Sequence, residues 1–281
     1  MTRALRYVDV FTDVPYGGNP VAVVLDGGGI DDDTMLRVAR WTNLSETTFV
    51  LPPTEPGADY LVRILTPAGE LPFAGHPTLG TCHAWLEAGG RPARADVVVQ
   101  QCAAGLVQLQ RGGGRLAFAA PPLVRSGPVA PELVDTALAA VGVPAASLVE
   151  ATWADNGPGW IALLLDSVDA VLAARPGRLA DELADIKIGL VAHHPEGSRA
   201  AIEVRAFFPQ DGLLAEDPVT GSLNASLAQW LLGSARLGAP YVASQGRALG
   251  RAGEIHVSRD ADGTIWIGGG TRTLITGEID I

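Results

Sequence analysis

The chain reads RILTP from Arg63 to Pro67 and ELPFAGH from Glu70 to His76; it then reads RAFFP from Arg205 to Pro209 and EDPVTGS from Glu216 to Ser222. Arg, Pro, Glu, Pro and Gly recur in the same order, with four extra residues between Pro209 and Glu216. In both copies a strand-like run leads to a Gly-containing turn and then to a helical pattern, Thr78 to Leu86 in the first and Ser222 to Leu232 in the second. Pro and Gly punctuate any loop, so the letters alone could coincide. Strand, turn and helix types agree as well, which favours a duplication and hence two similar lobes.

Size allows this. A chain of 281 residues suits one large domain or two of roughly 130 residues. The hydrophobic fraction of 47%, the 18% of charged residues and the 34 Gly and 20 Pro describe a folded, turn-rich protein. The formal charge of −11, with no two Lys or Arg residues adjacent, argues against nucleic acid, whose phosphates need a basic footprint. The start MTRALRYVDVF lacks a sustained apolar region, and the longest apolar run, Trp160 to Leu165, is too short to span a bilayer. A soluble cytoplasmic protein without membrane or nucleic-acid partners is expected. Cys82 and Cys102 are no disulfide framework, and the five histidines form no HxxxH or CxxC ligand pair, so no metal site is expected.

Leu5 to Phe11 and Val21 to Leu25 read as strands joined by the turn Pro15 to Pro20. Asp31, Asp32 and Asp33 supply an N-cap for a helix carrying Met35, Val38, Ala39 and Thr42 near one face, and Asn43 stops it. The strand Thr47 to Val50 follows, with Glu46 at its entrance. Farther on, Trp160 to Leu165 and Ile202 to Phe208 read as strands, and helices are expected near Val168 to Ala174 and Arg178 to Asp185. The Pro-containing stretch Ala120 to Pro131 reads as a linker, which gives an N-terminal lobe over 1–120, to which 271–281 returns, and a C-terminal lobe over 130–270.

The chemistry-bearing residues gather at the duplicated turns. Two helix N-termini present unpaired N–H groups and a positive dipole end, a receptor for a carboxylate. Gly75 and Gly221 stand where a backbone would approach a ligand closely, or they merely serve their turns. His76, between Gly75 and Pro77, is a candidate acid or base, or a loop histidine in water. Asp217 and Ser222 are candidates at the matching turn, or simply N-caps. Glu46 is either a solvated strand end or, among Leu44, Phe49 and Val50, a buried carboxyl whose raised pKa would suit proton shuttling.

GGNPVAVV (Gly17 to Val24), NLSETTFV (Asn43 to Val50), RILTP with FAGHPTLG (Phe73 to Gly80), EDPVTGS, and Gln245-Gly246 with GRAGEI (Gly250 to Ile255) together resemble the PhzF family of phenazine-biosynthesis isomerases. Five motifs in family order span nearly the whole chain. The resemblance implies an α+β fold of two pseudo-symmetric lobes, each a mixed sheet or barrel around a central helix, like diaminopimelate epimerase. The active site is then expected in the interlobe cleft. It implies that Glu46 shuttles the proton, that His76 and Asp217 assist, and that Gly221 and Ser222 bind a substrate carboxylate, with Asn19, Ser45 and Gly75 also among the substrate-binding residues. No metal or organic cofactor is implied, the partner is a small carboxylate, and members are often homodimers.

The epimerase branch of this fold uses a cysteine at each helix-start turn. Here those turns hold Gly75-His76 and Gly221-Ser222, which disfavours a two-thiol racemase. Leu65, where the family more often has Phe, and Leu223, where a small residue usually follows Gly-Ser, depart from the pattern near the expected cleft and leave the substrate open. The expected activity is a cofactor-independent isomerisation by Glu46. An epimerase with the same base and a non-catalytic ligand-binding protein are the alternatives.

Overall fold

The computed structural model describes Met1 to Ile281 as two compact units, Met1–Ala119 with Gly268–Ile281 as unit 1 and Ala120–Ile267 as unit 2. Unit 1 begins with β1 (Thr2–Val10), β2 (Asn19–Val24), α1 (Asp32–Thr42), β3 (Glu46–Leu51), β4 (Tyr60–Leu65) and β5 (Glu70–Leu71). It continues with α2 (Gly75–Glu87), β6 (Val97–Cys102), β7 (Gly105–Gly112) and β8 (Arg115–Ala119). Unit 2 holds β9 (Arg125–Pro128), α3 (Pro131–Val141), β10 (Leu148–Asp155), β11 (Trp160–Leu165), α4 (Val168–Ala173), β12 (Lys187–His193) and β13 (Ile202–Gln210). It is completed by β14 (Leu213–Asp217), α5 (Gly221–Gly233), β15 (Tyr241–Gln245), β16 (Gly253–Arg259) and the start of β17 (Ile265–Gly269). The last strand, β18 (Thr271–Asp280), lies again in unit 1, antiparallel to β1. No helix is long and apolar enough to cross a membrane.

In unit 1, β2 and β3 are parallel, β3 to β4 and β4 to β5 are antiparallel, and β6 runs parallel to β4. Unit 2 repeats this: β11 and β12 are parallel, β12 to β13 and β13 to β14 antiparallel, and β15 parallel to β13. The fold is the expected α+β class.

Each unit has a helix inside its sheet and helix outside it. α2 touches β1, β2, β3, β6, β8 and β18, and its residues Gly75 to Cys82 are all buried. A helix surrounded in this way must be apolar or small on every side. Gly80 shows how closely it approaches, since a Cβ there would lie 2.3 Å from Val21 Cγ1. α5 is the counterpart, against β10, β11 and β16.

Strand alternation sends the other face outward. Thr48 Oγ1 lies 2.8 Å from Thr81 Oγ1 of α2, whereas Phe49 and Leu65 join Met35 and Ala39 of α1 in a separate cluster. The α1 boundaries follow the expected chemistry: Asp31 Oδ1 accepts from Thr34 N at 2.8 Å, and Asn43 ends the helix at φ 53°.

Two expectations are corrected. The helix over Arg178 to Asp185 is only a short 3-10 turn at Asp181–Leu183. Arg178 bridges to Leu213 and Leu179 N donates to Gly212 O, so this backbone is used by the β13–β14 hairpin. The stretch from Ala120 to Pro131 is more than a linker, because β9 pairs with β10 and Pro131 opens α3, where the missing N–H is harmless.

Candidate active site

Glu46 opens β3 on the face that meets α2, and His76 is the second residue of α2. Their side chains meet: Glu46 Oε2 lies 3.3 Å from His76 Nε2, with 14% and 6% of the two side chains exposed. The start of β2, at the end of the β1–β2 loop, supplies the third group, for the His76 ring also hydrogen-bonds the Pro20 backbone. Asn19, just before Pro20, is wholly buried. The loop itself is tied down by Asp9, whose Oδ1 accepts from Gly18 N at 3.1 Å. Gly18 is required there, because a Cβ would fall 2.1 Å from Val10 O.

Burial pushes the His76 pKa down to about 3, the Pro20 bond opposing it, so the ring is neutral near pH 7. A neutral imidazole that gives its one N–H to the Pro20 carbonyl presents a lone pair at the other nitrogen. Nε2 facing Oε2 therefore accommodates one proton between two basic atoms. The arrangement suits a carboxylate that takes up a proton, which carries the buried pair from a net charge of −1 to zero, and then delivers it again.

Unit 2 carries the second group of candidates. The N-cap position of α5 is Thr220, so neither Asp217 nor Ser222 is the helix cap. Asp217 Oδ2 accepts from Thr220 Oγ1 at 2.6 Å. Ser222 Oγ accepts from Trp160 Nε1 at 3.1 Å, and its carbonyl accepts from Asn156 Nδ2 at 3.0 Å. Gly221 is buried at the first helical position. Ser45 is exposed, one residue before Glu46.

Sequence reasoning assigned no role to several residues that build these turns. Gln245 is wholly buried; its Oε1 accepts from Thr220 N at 3.0 Å and Asn224 Nδ2 at 2.8 Å, while Nε2 donates to Thr220 Oγ1 at 2.9 Å. It braces the turn that carries Asp217, and its place in the Gln245-Gly246 motif was the available signal. Pro20 had the same kind of signal in the GGNPVAVV motif, whereas Trp160 and Asn156 had none.

The cysteines stand apart from this chemistry. Cys82 is buried inside α2 and burial raises its thiol pKa to about 12, while burial also raises that of Cys102. Neither is poised as a thiolate at neutral pH. No group of three or more His, Cys, Asp or Glu side chains is placed to hold a metal ion. Both departures noted in the sequence are core residues: Leu65 packs in the α1 cluster, and Leu223 is wholly buried, its Cδ1 where a Gly189 Cβ would be only 2.5 Å away.

Known proteins place the chain. Residues 8–278 match the family described as phenazine biosynthesis-like protein (PhzC-PhzF). The chain is 36% identical over 253 residues to the trans-2,3-dihydro-3-hydroxyanthranilate isomerase of Pseudomonas fluorescens, covering 87% of this chain and 86% of that one. It is 32% identical over 297 residues to antisense-enhancing sequence 1 of Schizosaccharomyces pombe, covering 98% of each. A solved structure described as a predicted epimerase from Pseudomonas aeruginosa matches with a TM-score of 0.78 at 27% identity over 99% of both chains. The chain belongs to the phenazine biosynthesis-like, or PhzF, family and is an isomerase with the epimerase-like α+β fold of that family.

Proposed function

We propose that this isomerase moves a proton between carbons of a small carboxylate-bearing metabolite, with Glu46 as the base that lifts the proton and the acid that returns it at a conjugated position. The observation that carries the reading is the buried Glu46–His76 pair at 3.3 Å, with the His76 ring also bonded to the Pro20 backbone. His76 accepts or lends the proton that Glu46 handles, and Asp217 manages the remaining protons. Gly75, Gly221, Ser222, Asn19 and Ser45 bind the substrate, the α5 turn taking its carboxylate. The C–H bond broken and the C–H bond formed lie in one molecule, so the reaction balances without a redox partner. The named substrate of the Pseudomonas fluorescens relative makes unsaturated cyclic carboxylates the first class to try.

A stereoinversion by Glu46 is the second reading, favoured by the likeness to a predicted epimerase. His76 cannot be its second acid, because a group 3.3 Å from Glu46 does not stand on the opposite face of a carbon held between them. Only Asp217 is left for that part. The chirality of recovered substrate separates the two.

Incubation in deuterated buffer with trans-2,3-dihydro-3-hydroxyanthranilate and related carboxylates, read by mass spectrometry, tests the proposal. Product gains deuterium with the native enzyme, and Glu46→Gln lowers turnover by about 10²- to 10⁴-fold while ligand binding persists. Full activity of the Gln variant overturns it.

A further inference from the structure

The two units agree in strand register as well as in element order. Val21 pairs with Glu46 across β2 and β3, and Trp160 pairs with Lys187 across β11 and β12. Thr47 then faces Leu65 and Leu65 faces Glu70, as Ile188 faces Phe207 and Phe207 faces Glu216. Five residues beyond Glu70 and Glu216 come Gly75 and Gly221, the first residues of α2 and α5. By this count Lys187 stands in unit 2 where Glu46 stands in unit 1, and Ser222 stands where His76 does.

Lys187 is also the only lysine in the chain. Its side chain lies on the face of β12 turned to α5, because two residues on, at Gly189, an added Cβ would meet Leu223 of α5. Asp217, opposite Ala206, and Gly189, opposite the same Ala206, share that face. At the level of Lys187 the neighbour is Trp160: Nζ lies 5.9 Å from the indole centroid, and that indole donates to Ser222 Oγ. A distance of 5.9 Å is at the outer limit for a cation–π contact.

We propose that Lys187 is a specificity-determining residue of this isomerase, its ammonium pairing with the substrate carboxylate received at the Gly221-Ser222 turn. The unit 1 position supplies the proton-moving carboxyl, and the equivalent unit 2 position supplies the counter-charge that selects an acidic substrate. This deepens the function proposed above and rests on its assignment of the carboxylate to the α5 turn.

The single lysine makes a direct test available. Reductive methylation with ¹³C-formaldehyde labels only Lys187 Nζ and the N-terminal amine. Titration with anthranilate and 3-hydroxyanthranilate shifts the Lys187 methyl resonances saturably, anthranilamide does not, and the N-terminal resonances stay in place. An unmoved Lys187 signal, an equal response to the amide or an equal shift at the N-terminus overturns the proposal. On unmodified protein, calorimetry with 3-hydroxyanthranilate shows Lys187→Gln binding about tenfold more weakly and Lys187→Arg within about threefold of native, with melting temperatures preserved. Native affinity in Lys187→Gln, a lowered melting point as its sole effect, or no binding by the native enzyme overturns it. Native affinity in Lys187→Gln with an inactive Glu46→Gln removes the lysine and keeps the proton shuttle; weakened binding with a fully active Glu46→Gln does the reverse.

Discussion

The β3–β4–β5–α2 segment of unit 1 and the β12–β13–β14–α5 segment of unit 2 are built alike and armed differently. Both hold an arginine in a two-pronged pair with the glutamate of the following short strand: Arg63 Nε to Glu70 Oε1 at 2.9 Å, and Arg205 Nε to Glu216 Oε1 at 2.9 Å. Outside these segments each unit also holds an aspartate that ties down the loop after it, Asp9 of β1 through Gly18 N and Asp155 of β10 through Gly157 N and Gly159 N. At the helix starts the likeness stops, with Glu46, Leu71 and His76 in one unit and Lys187, Asp217 and Ser222 at the same register positions in the other. What positions the turns is repeated, down to Gly75 and Gly221 at the helix starts, and the side chains at these three register positions are not.

The sharpest way to break this division is kinetic. Glu46→Gln is expected to lower kcat by about a hundredfold or more with KM little changed, and Lys187→Gln to raise KM about tenfold with kcat little changed. Steady-state kinetics in which both variants lose the same parameter would show that the two positions do one job.

The shared scaffold differs in burial, and stability should register it. The side chains of Arg205 and Glu216 are 4% and 7% exposed, against 24% and 35% for Arg63 and Glu70. Arg205 also donates to Val171 O and Ala174 O at the end of α4. Removing one partner of a buried pair strands the other charge, so Arg205→Met should destabilise by about 3–5 kcal/mol. Arg63→Met should lose at most about 1 kcal/mol. Urea melts giving equal losses would mean that the pairs are energetically alike despite their burial.

The scaffold was legible where punctuation and periodicity coincide. The Asp31 cap and the Asn43 stop of α1 were readable, as was the Arg–Pro–Glu–Pro–Gly order of the repeat. The Glu46–Lys187 equivalence was not, since NLSET and ADIKI share no pattern and only hydrogen-bonded register aligns them. β9 and α3 were hidden because prolines that suit an edge strand and a helix start also look like a linker. The pairing of His76 with Glu46 joins residues 30 apart in sequence through packing of α2 on β3, which no local pattern reports.

His76 makes unit 1 sensitive to pH at a place where Ser222 cannot titrate. Its native pKa near 3 lies below the ordinary 6.5, so the unfolded chain binds the proton more readily between those values. Stability is then complete above about pH 6.5 and falls by up to several kcal/mol as pH drops toward 3. His76→Asn should flatten that fall in chemical melts at stepped pH. A residual slope should persist, because burial lowers the pKa of His83 and His193 too. An unchanged profile would mean that His76 is already protonated in the native protein.

The smallest expected effect concerns how the two inner helices meet their strands. In unit 1, Thr48 and Thr81 join β3 to α2 through hydroxyls 2.8 Å apart. By register Gly189 takes the place of Thr48, and Leu223 fills the space its missing side chain leaves. A large residue after Gly221-Ser222 is thus matched by a glycine across from it, which makes Leu223 a packing compensation rather than a lining of the substrate site. Gly189→Ala should destabilise by about 1–3 kcal/mol through overpacking. Adding Leu223→Ala to it should recover part of that loss, with a coupling of about 1 kcal/mol in a double-mutant cycle. KM should stay at the native value throughout, since Leu223 is wholly buried. A shift in KM without a shift in melting would instead put Leu223 against the substrate, and the unit 2 turn would then select its ligand by shape as well as by charge.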